Sequence, residues 1–467
     1  MTNMKSMKKL ILLLSLITSI LSCSKEAHWN QKEYDRILAS INAPVFPADT
    51  LDIVELGAVE GDEKYLNDTI INNAISSLSA KGGGVVKIPA GLYYTAGIIL
   101  KDNVNLHLCK GSTLRFSTRY EDYLPVVWTR WEGYDCYNYR PLIYGASVKN
   151  VALTGEGIID GNASKEKWWW MVGSTRMGYV KGMPCARTHG RKWLFQQVID
   201  GVDYHDRIMG DGAYLRPQLV NIMGGENVLI EGLTFINSPF WVIHPVFCNN
   251  LTVRGVTVDS HGANNDGCNP ESCKGVLIEK CRFITGDDCI AIKSGRNQDG
   301  RAWGIPTEDV IIRDCVMEDG HGAITMGSEI SGGVRNVYAE NCLINSPEMY
   351  NAVRIKTNTC RGGVVENIHV RNIKVAKCNI SAFIIDLIYT PNEASIRGFY
   401  PYVRNVSVEN MDVESCDIFV TIDALSDKEC VDNIVVSNCT VSGVSVRQKL
   451  TGLVNGYKLK NISYENN

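Results

Sequence analysis

A chain of 467 residues, 45% of them hydrophobic and 21% charged, is long and apolar enough to bury an extensive core, which excludes disorder for most of its length. Its net charge of −4 offers no basic field to nucleic acid and no long-range pull on an acidic polymer, so an anionic substrate has to be held locally. Length alone suggests about three domains, but an internal repeat replaces that prior with one long domain.

The N-terminus has a basic head (Lys5, Lys8, Lys9), an apolar run from Leu10 to Leu21, and then Ser22 and Cys23. This pattern predicts an export signal that is too short to span a bilayer as a stable helix. The Ile20-Leu21-Ser22-Cys23 junction resembles a bacterial lipoprotein signal, which implies a signal peptide over residues 1–22 and a lipidated Cys23, with ordinary cleavage nearby as the alternative. Residues 23–50 then read as tether and lead-in, and 51–467 as the one long domain. The expected location is the bacterial envelope, with membrane contact only through the anchor.

Asp68 to Ala80 places Ile71, Ala74, Ile75 and Leu78 at helical spacing, with Asn67 or Asp68 as N-cap. Beyond this helix the chain becomes a repeat. From Asn227 onward an Asn, Asp or Gly precedes two apolar-polar runs rich in Val, Ile and Thr, with copies starting at Asn250, Gly275, Asp309, Asn336, Asn367, Asn405 and Asn433. The copies start 23 to 38 residues apart, and earlier ones begin at Asn103 and Asn150. Short strands, a turn residue between them and variable insertions predict an all-β fold, a single parallel β-helix over about residues 83–465. A leucine-rich repeat is the alternative, but its Leu-x-x-Leu-x-Leu phrase is absent. The helix at 68–80 is expected to cover the open end of the solenoid, which would otherwise be an unpaired edge. Trp168 to Arg216 breaks the phrase and reads as a large surface insertion.

Export permits disulfides, and fifteen cysteines follow Cys23. Yet Cys281, Cys315, Cys342 and Cys439 share one repeat slot with Leu233, Val256, Ile373 and Met411, so small buried hydrophobes are expected rather than a disulfide framework. No metal or nucleotide motif stands out, and no cofactor is expected.

In a parallel β-helix equivalent positions of successive coils stack about 4.8 Å apart, so polar groups at coil-length intervals become neighbours. Asn264-Asn265-Asp266 is followed by Gly286-Asp287-Asp288, Gly320-His321-Gly322, Arg354-Ile355-Lys356 and Tyr389 at intervals that match the local coils. Three crowded carboxylates separate their own pKa values, which allows one protonated acid beside ionised bases. Glycoside hydrolysis needs that combination. Because consecutive strand residues face opposite sides, Asp287 and Asp288 reach one cleft only at a strand end or bulge.

With these four blocks in this order, residues 52–460 resemble the polygalacturonase family of glycoside hydrolases, right-handed parallel β-helices that act on pectin. The resemblance implies Asp287 as general acid, with Asp266 and Asp288 holding the water. It also implies inversion in one displacement, His321 as the tuner of carboxylate protonation, Arg354 and Lys356 as the grip on a galacturonate carboxylate, and Tyr389 against the sugar. Asn264 belongs to the first block and is expected at the substrate. The segment Asn237 to Trp241 with His244 resembles exo-acting members, which makes His244 a candidate for the terminal sugar or a core histidine. Together with Trp168–Arg216, a lengthened coil from Gly295 and Arg296 to Glu308 points to a pocket and exo action. The alternatives are a hydrolase of rhamnose-containing or branched pectin, a calcium-dependent pectate lyase, and a non-catalytic glycan-binding β-helix.

Overall fold

The leading residue of each repeat phrase turns the chain in the left-handed region, with φ of 57° at Asn227, 58° at Asn250 and Asp309, 56° at Asn336 and 57° at Asn367. Asparagine and aspartate tolerate that conformation better than other non-glycine residues, and Gly275 supplies it without a side chain. The same amides then link coil to coil. Asn250 Nδ2 donates to Asn227 Oδ1 at 2.6 Å, Asn367 Nδ2 to Asn336 Oδ1 at 3.0 Å and Asn433 Nδ2 to Asn405 Oδ1 at 2.9 Å. The recurrent Asn is therefore both the corner of the coil and a rung of a polar ladder.

The computed structural model describes residues 26–465. The expected signal segment and Cys23 lie outside them. The strands wind as a right-handed parallel β-helix with three longitudinal faces. One face is a 13-stranded sheet built from the repeat phrases. The second face and the C-terminal part of the third join in a 16-stranded sheet, and the N-terminal part of the third is a 4-stranded sheet ending at the strand Ile243–Val246. Isolated bridges, Ile243 to Cys268 and Cys268 to Ile290, carry the third face across the coil of Asp266. Inward positions such as Val253, Ile278, Ile312 and Val337 fill one continuous apolar core. Cys281, Cys315, Cys342 and Cys439 lie in that core, and the fifteen described cysteines are all free thiols.

Two helices pack against the solenoid before its insertions begin. Helix α1 (Gln31–Ser40) falls in the expected tether but is docked: Tyr34 and Ile37 are buried against Leu277, Ile311 and Tyr338 on the outside of the 13-stranded sheet. Its polar composition hides a short apolar face. Helix α2 (Asp68–Ala80) has the expected bounds and buries Ile71, Ala74, Ile75 and Leu78 against the first coils. Ile71, Ile75 and Leu78 each contribute roughly 1.5–3 kcal/mol by that burial. Asn67 precedes it without capping through its side chain, which binds the Val59 and Tyr94 backbone instead.

The insertions build a wall over the third face. An antiparallel hairpin, Val127–Trp131 with Tyr134–Asn138, turns at Glu132 and Gly133. The stretch from Trp168 to Arg216 is less superficial than expected. Trp168 is fully buried in the main core, while Leu194 and Val198 of helix α3 (Gly190–Ile199) pack with Trp131, Tyr134, Phe240 and Trp241 in a second core. Helix α4 (Asn297–Trp303) fills the lengthened coil and braces the hairpin, with Asp299 accepting from the Asp135 backbone N–H at 3.1 Å and Trp303 donating to Asp135 at 2.9 Å.

Candidate active site

The aspartates sit where regular pairing is interrupted. Asp287 and Asp288 occupy the turn between the strands Arg282–Thr285 and Ile290–Ile292, which lets neighbouring residues share one cleft. Thr285 Oγ1 donates to the Asp287 carbonyl at 2.8 Å, and the Asp288 N–H to Asp287 Oδ1 at 3.0 Å. One coil earlier, buried Asn265 shapes the turn that carries Asp266 by accepting from Ser260 and Gly262 and donating to the Phe240 carbonyl. The Gly267 N–H donates to the Asp288 carbonyl at 2.9 Å, which sets the two aspartate turns side by side.

The glycines around His321 have a steric reason. A Cβ on Gly322 would lie 2.7 Å from Asp288 Oδ1, and one on Gly320 would lie 2.6 Å from the Asp287 carbonyl oxygen. Only glycine lets that coil close over the aspartates. His321 Nδ1 stands 3.1 Å from Asp287 Oδ1, and its ring stacks on Tyr350 with centroids 4.6 Å apart.

Asp266, Asp287, Asp288, Asn264, Lys356 and Tyr389 line one cavity of about 160 Å³. Arg354 and His321 adjoin it through lining residues: Arg354 and Lys356 both lie 5.2 Å from the Tyr389 ring, on alternate positions of the strand Asn351–Lys356. Lys356 Nζ donates to Asp288 Oδ2 at 2.6 Å, so besides any contact with substrate it holds a member of the trio. Asn264 Nδ2 lies 3.5 Å from Asp287 Oδ2.

His244 does not reach this cavity. It is wholly buried, its Nε2 lies 2.7 Å from Glu271 and its Nδ1 3.2 Å from the Gln218 amide, and Trp241 covers its ring edge-on at 4.8 Å. The hairpin lies over it, with Arg130 3.3 Å from Glu271. Both ring nitrogens are used within the protein, so the core reading of His244 replaces the sugar-binding one.

Several lining residues carry no motif. Lys293 directly follows the strand Ile290–Ile292 and bridges Glu271 of the preceding coil; its Nζ lies 3.4 Å from the Gly327 carbonyl, 3.5 Å from Asp266 Oδ2, 3.1 Å from Glu329 and 4.4 Å from the Trp241 ring. Arg296 links the walls, donating to Glu132 on the hairpin at 3.0 Å and to Glu393 on the loop after Tyr389 at 2.8 Å. Arg361 meets Glu393 at 2.6 Å. The sequence carries no signal for Lys293, a lone lysine after its strand, or for Glu132 and Glu393, which sit in insertions.

These contacts divide the trio. Burial, reinforced by the neighbouring Asp287 charge, pushes the Asp266 carboxyl up to about 8 despite Lys293. Burial also opposes ionisation of Asp287, but the His321 hydrogen bond and the charges of His321 and Lys356 overcome it and hold Asp287 below the ordinary carboxylate range. The same hydrogen bond raises His321. Near neutral pH a proton therefore rests on Asp266, while the Asp287–His321 hydrogen bond favours the ionised carboxylate and the protonated imidazole together. The contact of His321 with Asp287 is the one expected of a histidine that tunes carboxylate protonation. Among the described residues no cluster of three or more His, Cys, Asp and Glu is arranged to hold a metal ion.

Two adjacent turns carrying three aspartates, a basic pair one or two coils along and a closed wall define a carbohydrate-cleaving site on a β-helix. The model of glycosyl hydrolases family 28 matches residues 200–463, and the chain belongs to that family, whose members hydrolyse glycosidic bonds with inversion. The chain is similar to a hyperthermoactive exopolygalacturonase from Thermotoga maritima, with 38% identity, a TM-score of 0.88, and coverage of 93% of this chain and 96% of that one. It is 27% identical to an exo-poly-alpha-D-galacturonosidase of Dickeya chrysanthemi over 85% of this chain and 68% of that protein. It is 29% identical to a probable polygalacturonase of Vitis vinifera over 84% of this chain and 74% of that protein. The family match contains all four sequence blocks, whereas the hairpin and most of the Trp168–Arg216 wall precede it.

Proposed function

We infer that the protein is an exo-acting hydrolase that releases galacturonic acid units from the ends of pectic chains. The observation that carries this reading is the walled cavity. The trio opens into a space bounded by Glu132 and Arg191 on one side and by Glu329, Arg361 and Thr390 on another, and Arg296 ties the hairpin to the far loop. Such a wall admits a chain end and obstructs a chain running through.

Lys356 and Arg354 supply the positive charge that an anionic sugar needs, since the whole chain is acidic. The Asp287–His321 pair delivers its proton to the leaving oxygen through Asp287. On the opposite face of the sugar Asp288, held by Lys356, takes the proton of the water as its oxygen bonds to the anomeric carbon and the glycosidic bond breaks, and Asp266, held by Lys293 and by Asn269 at 2.8 Å, positions that water. Tyr389 packs over the two cations and limits their motion. Size analysis of early products from polygalacturonate tests the exo reading: monomer alone is expected from the first turnovers, and mixed oligomers contradict it.

Cys23 as a lipidated first residue fits an envelope enzyme, supported by the basic head, the apolar run and the Leu21-Ser22-Cys23 junction. An anchored hydrolase of this kind would work on fragments at the cell surface or in the periplasm. A Cys23→Ala variant that still partitions with membranes would contradict the anchor.

A further inference from the structure

A second cavity of about 220 Å³ adjoins the catalytic one, sharing Glu132, Arg191 and Asn264 with it. Its other lining side chains include Arg187 and Arg216 over an apolar floor of Trp131, Val172 and Ala186. Three guanidinium groups thus face one acid, Glu132, which is already engaged by Arg191 at 3.0 Å and by Arg296 at 3.0 Å.

The arginines differ in how much internal compensation they have. Arg187 is exposed, and its side chain has no hydrogen bond or ion pair among the described residues. Arg216 is fully buried, donates to the Pro239 and Ala263 carbonyls and to Asn264 Oδ1, keeps Nε without a partner, and meets no carboxylate directly. Burial pushes its pKa down to about 10, the sign of a cation held without a counter-ion. A buried, incompletely paired cation is costly unless something else supplies the negative charge.

The position of this cavity names that partner. Arg216 reaches Asn264, whose amide lies beside Asp287, so the cavity is one side chain from the acid, and its lining comes from chain segments N-terminal to the aspartate turn. Arg354 and Lys356 lie on later coils, C-terminal to that turn. We propose that the second cavity is a uronate subsite, in which Arg187 and Arg191, backed by Arg216, bind the carboxylate of a sugar on the opposite side of the scissile bond from the one held by Arg354 and Lys356. The enzyme then reads a carboxylate on each side of the bond it cuts, and a neutral sugar on either side is discriminated against. This rests on the galacturonan reading above.

The test compares the full enzyme with Arg187→Gln on trigalacturonate and on three analogues, each carrying a methyl ester on a different unit. Arg187 is exposed and unpaired, so the variant folds, which the melting temperature verifies. Wild type is expected to lose kcat/KM on esterification at two of the units. Arg187→Gln is expected to lose roughly tenfold on the free acid, mainly through KM, and to show no further loss for the ester at one of those two units while keeping the loss at the other. An unchanged set of losses in Arg187→Gln overturns the subsite. If wild type cleaves no galacturonan of any length, the proposed function fails instead, so the two failures are distinct.

Discussion

Asp287→Asn is expected to reduce turnover by about three to four orders of magnitude while leaving the melting temperature within a few degrees of wild type. The amide keeps the volume of the side chain and can still meet His321, but it cannot pass a proton to the leaving oxygen. The electrostatic consequence is equally specific. Burial is the main reason the Asp266 carboxyl is raised, and the Asp287 charge is the next. Neutralising Asp287 therefore lowers Asp266 toward the ordinary range, and His321, deprived of its anionic partner, falls as well. NMR titration of the His321 ring in wild type and variant reads that second shift directly. Unimpaired turnover in Asp287→Asn, or loss of the fold, contradicts the assignment of a proton-donating role.

The second large effect is on stability. Asp266 has a folded-state pKa of about 8 against an ordinary value of 3.8, so between those pH values the folded protein holds a proton that the unfolded chain has lost. The unfolded state then binds fewer protons, and stability declines as pH rises through that window. Asp266→Asn removes this dependence. It is expected to be inactive yet more stable than wild type by on the order of 3 kcal/mol at pH 8, with the gain fading as pH falls toward 4. Denaturant unfolding at several pH values measures it, and a destabilised Asp266→Asn at pH 8 would show that the carboxylate with Lys293 is a net stabilising pair instead. An active site built from crowded acids gives up stability for protonation states set apart from one another.

Much of the fold and the centre of the site are legible in the sequence because the β-helix converts spacing into proximity. The left-handed Asn corners recur along the coils, so the strands and their order follow from the repeat phrase. The aspartate trio, His321 and the Arg354–Lys356 pair are visible as short motifs at coil intervals. Lys293 is not, since a lone lysine after Ile292 acquires meaning only through its contacts with Asp266 and Glu329. The sequence leaves His244 between sugar and core because its partners, Glu271 and Gln218, come from other segments and the hairpin that covers it has no repeat phrase. Glu132, Glu393 and helix α1 escape a reading of the sequence for a related reason: each lies in a segment whose position is set by tertiary packing rather than by periodicity. The resting proton on Asp266 depends on how deeply that one carboxyl is buried, a property of packing that no spacing reports.

Inversion at a chain-end galacturonate, by a carboxylate acid and an activated water, is the chemistry on which the roles of all these residues depend. Time-resolved proton NMR of the first product released from polygalacturonate tests it most directly. Free galacturonic acid is expected to appear first as the β-anomer and to relax to the equilibrium mixture afterwards. Initial release of the α-anomer, or of an unsaturated product in a chelator-sensitive reaction, would contradict it.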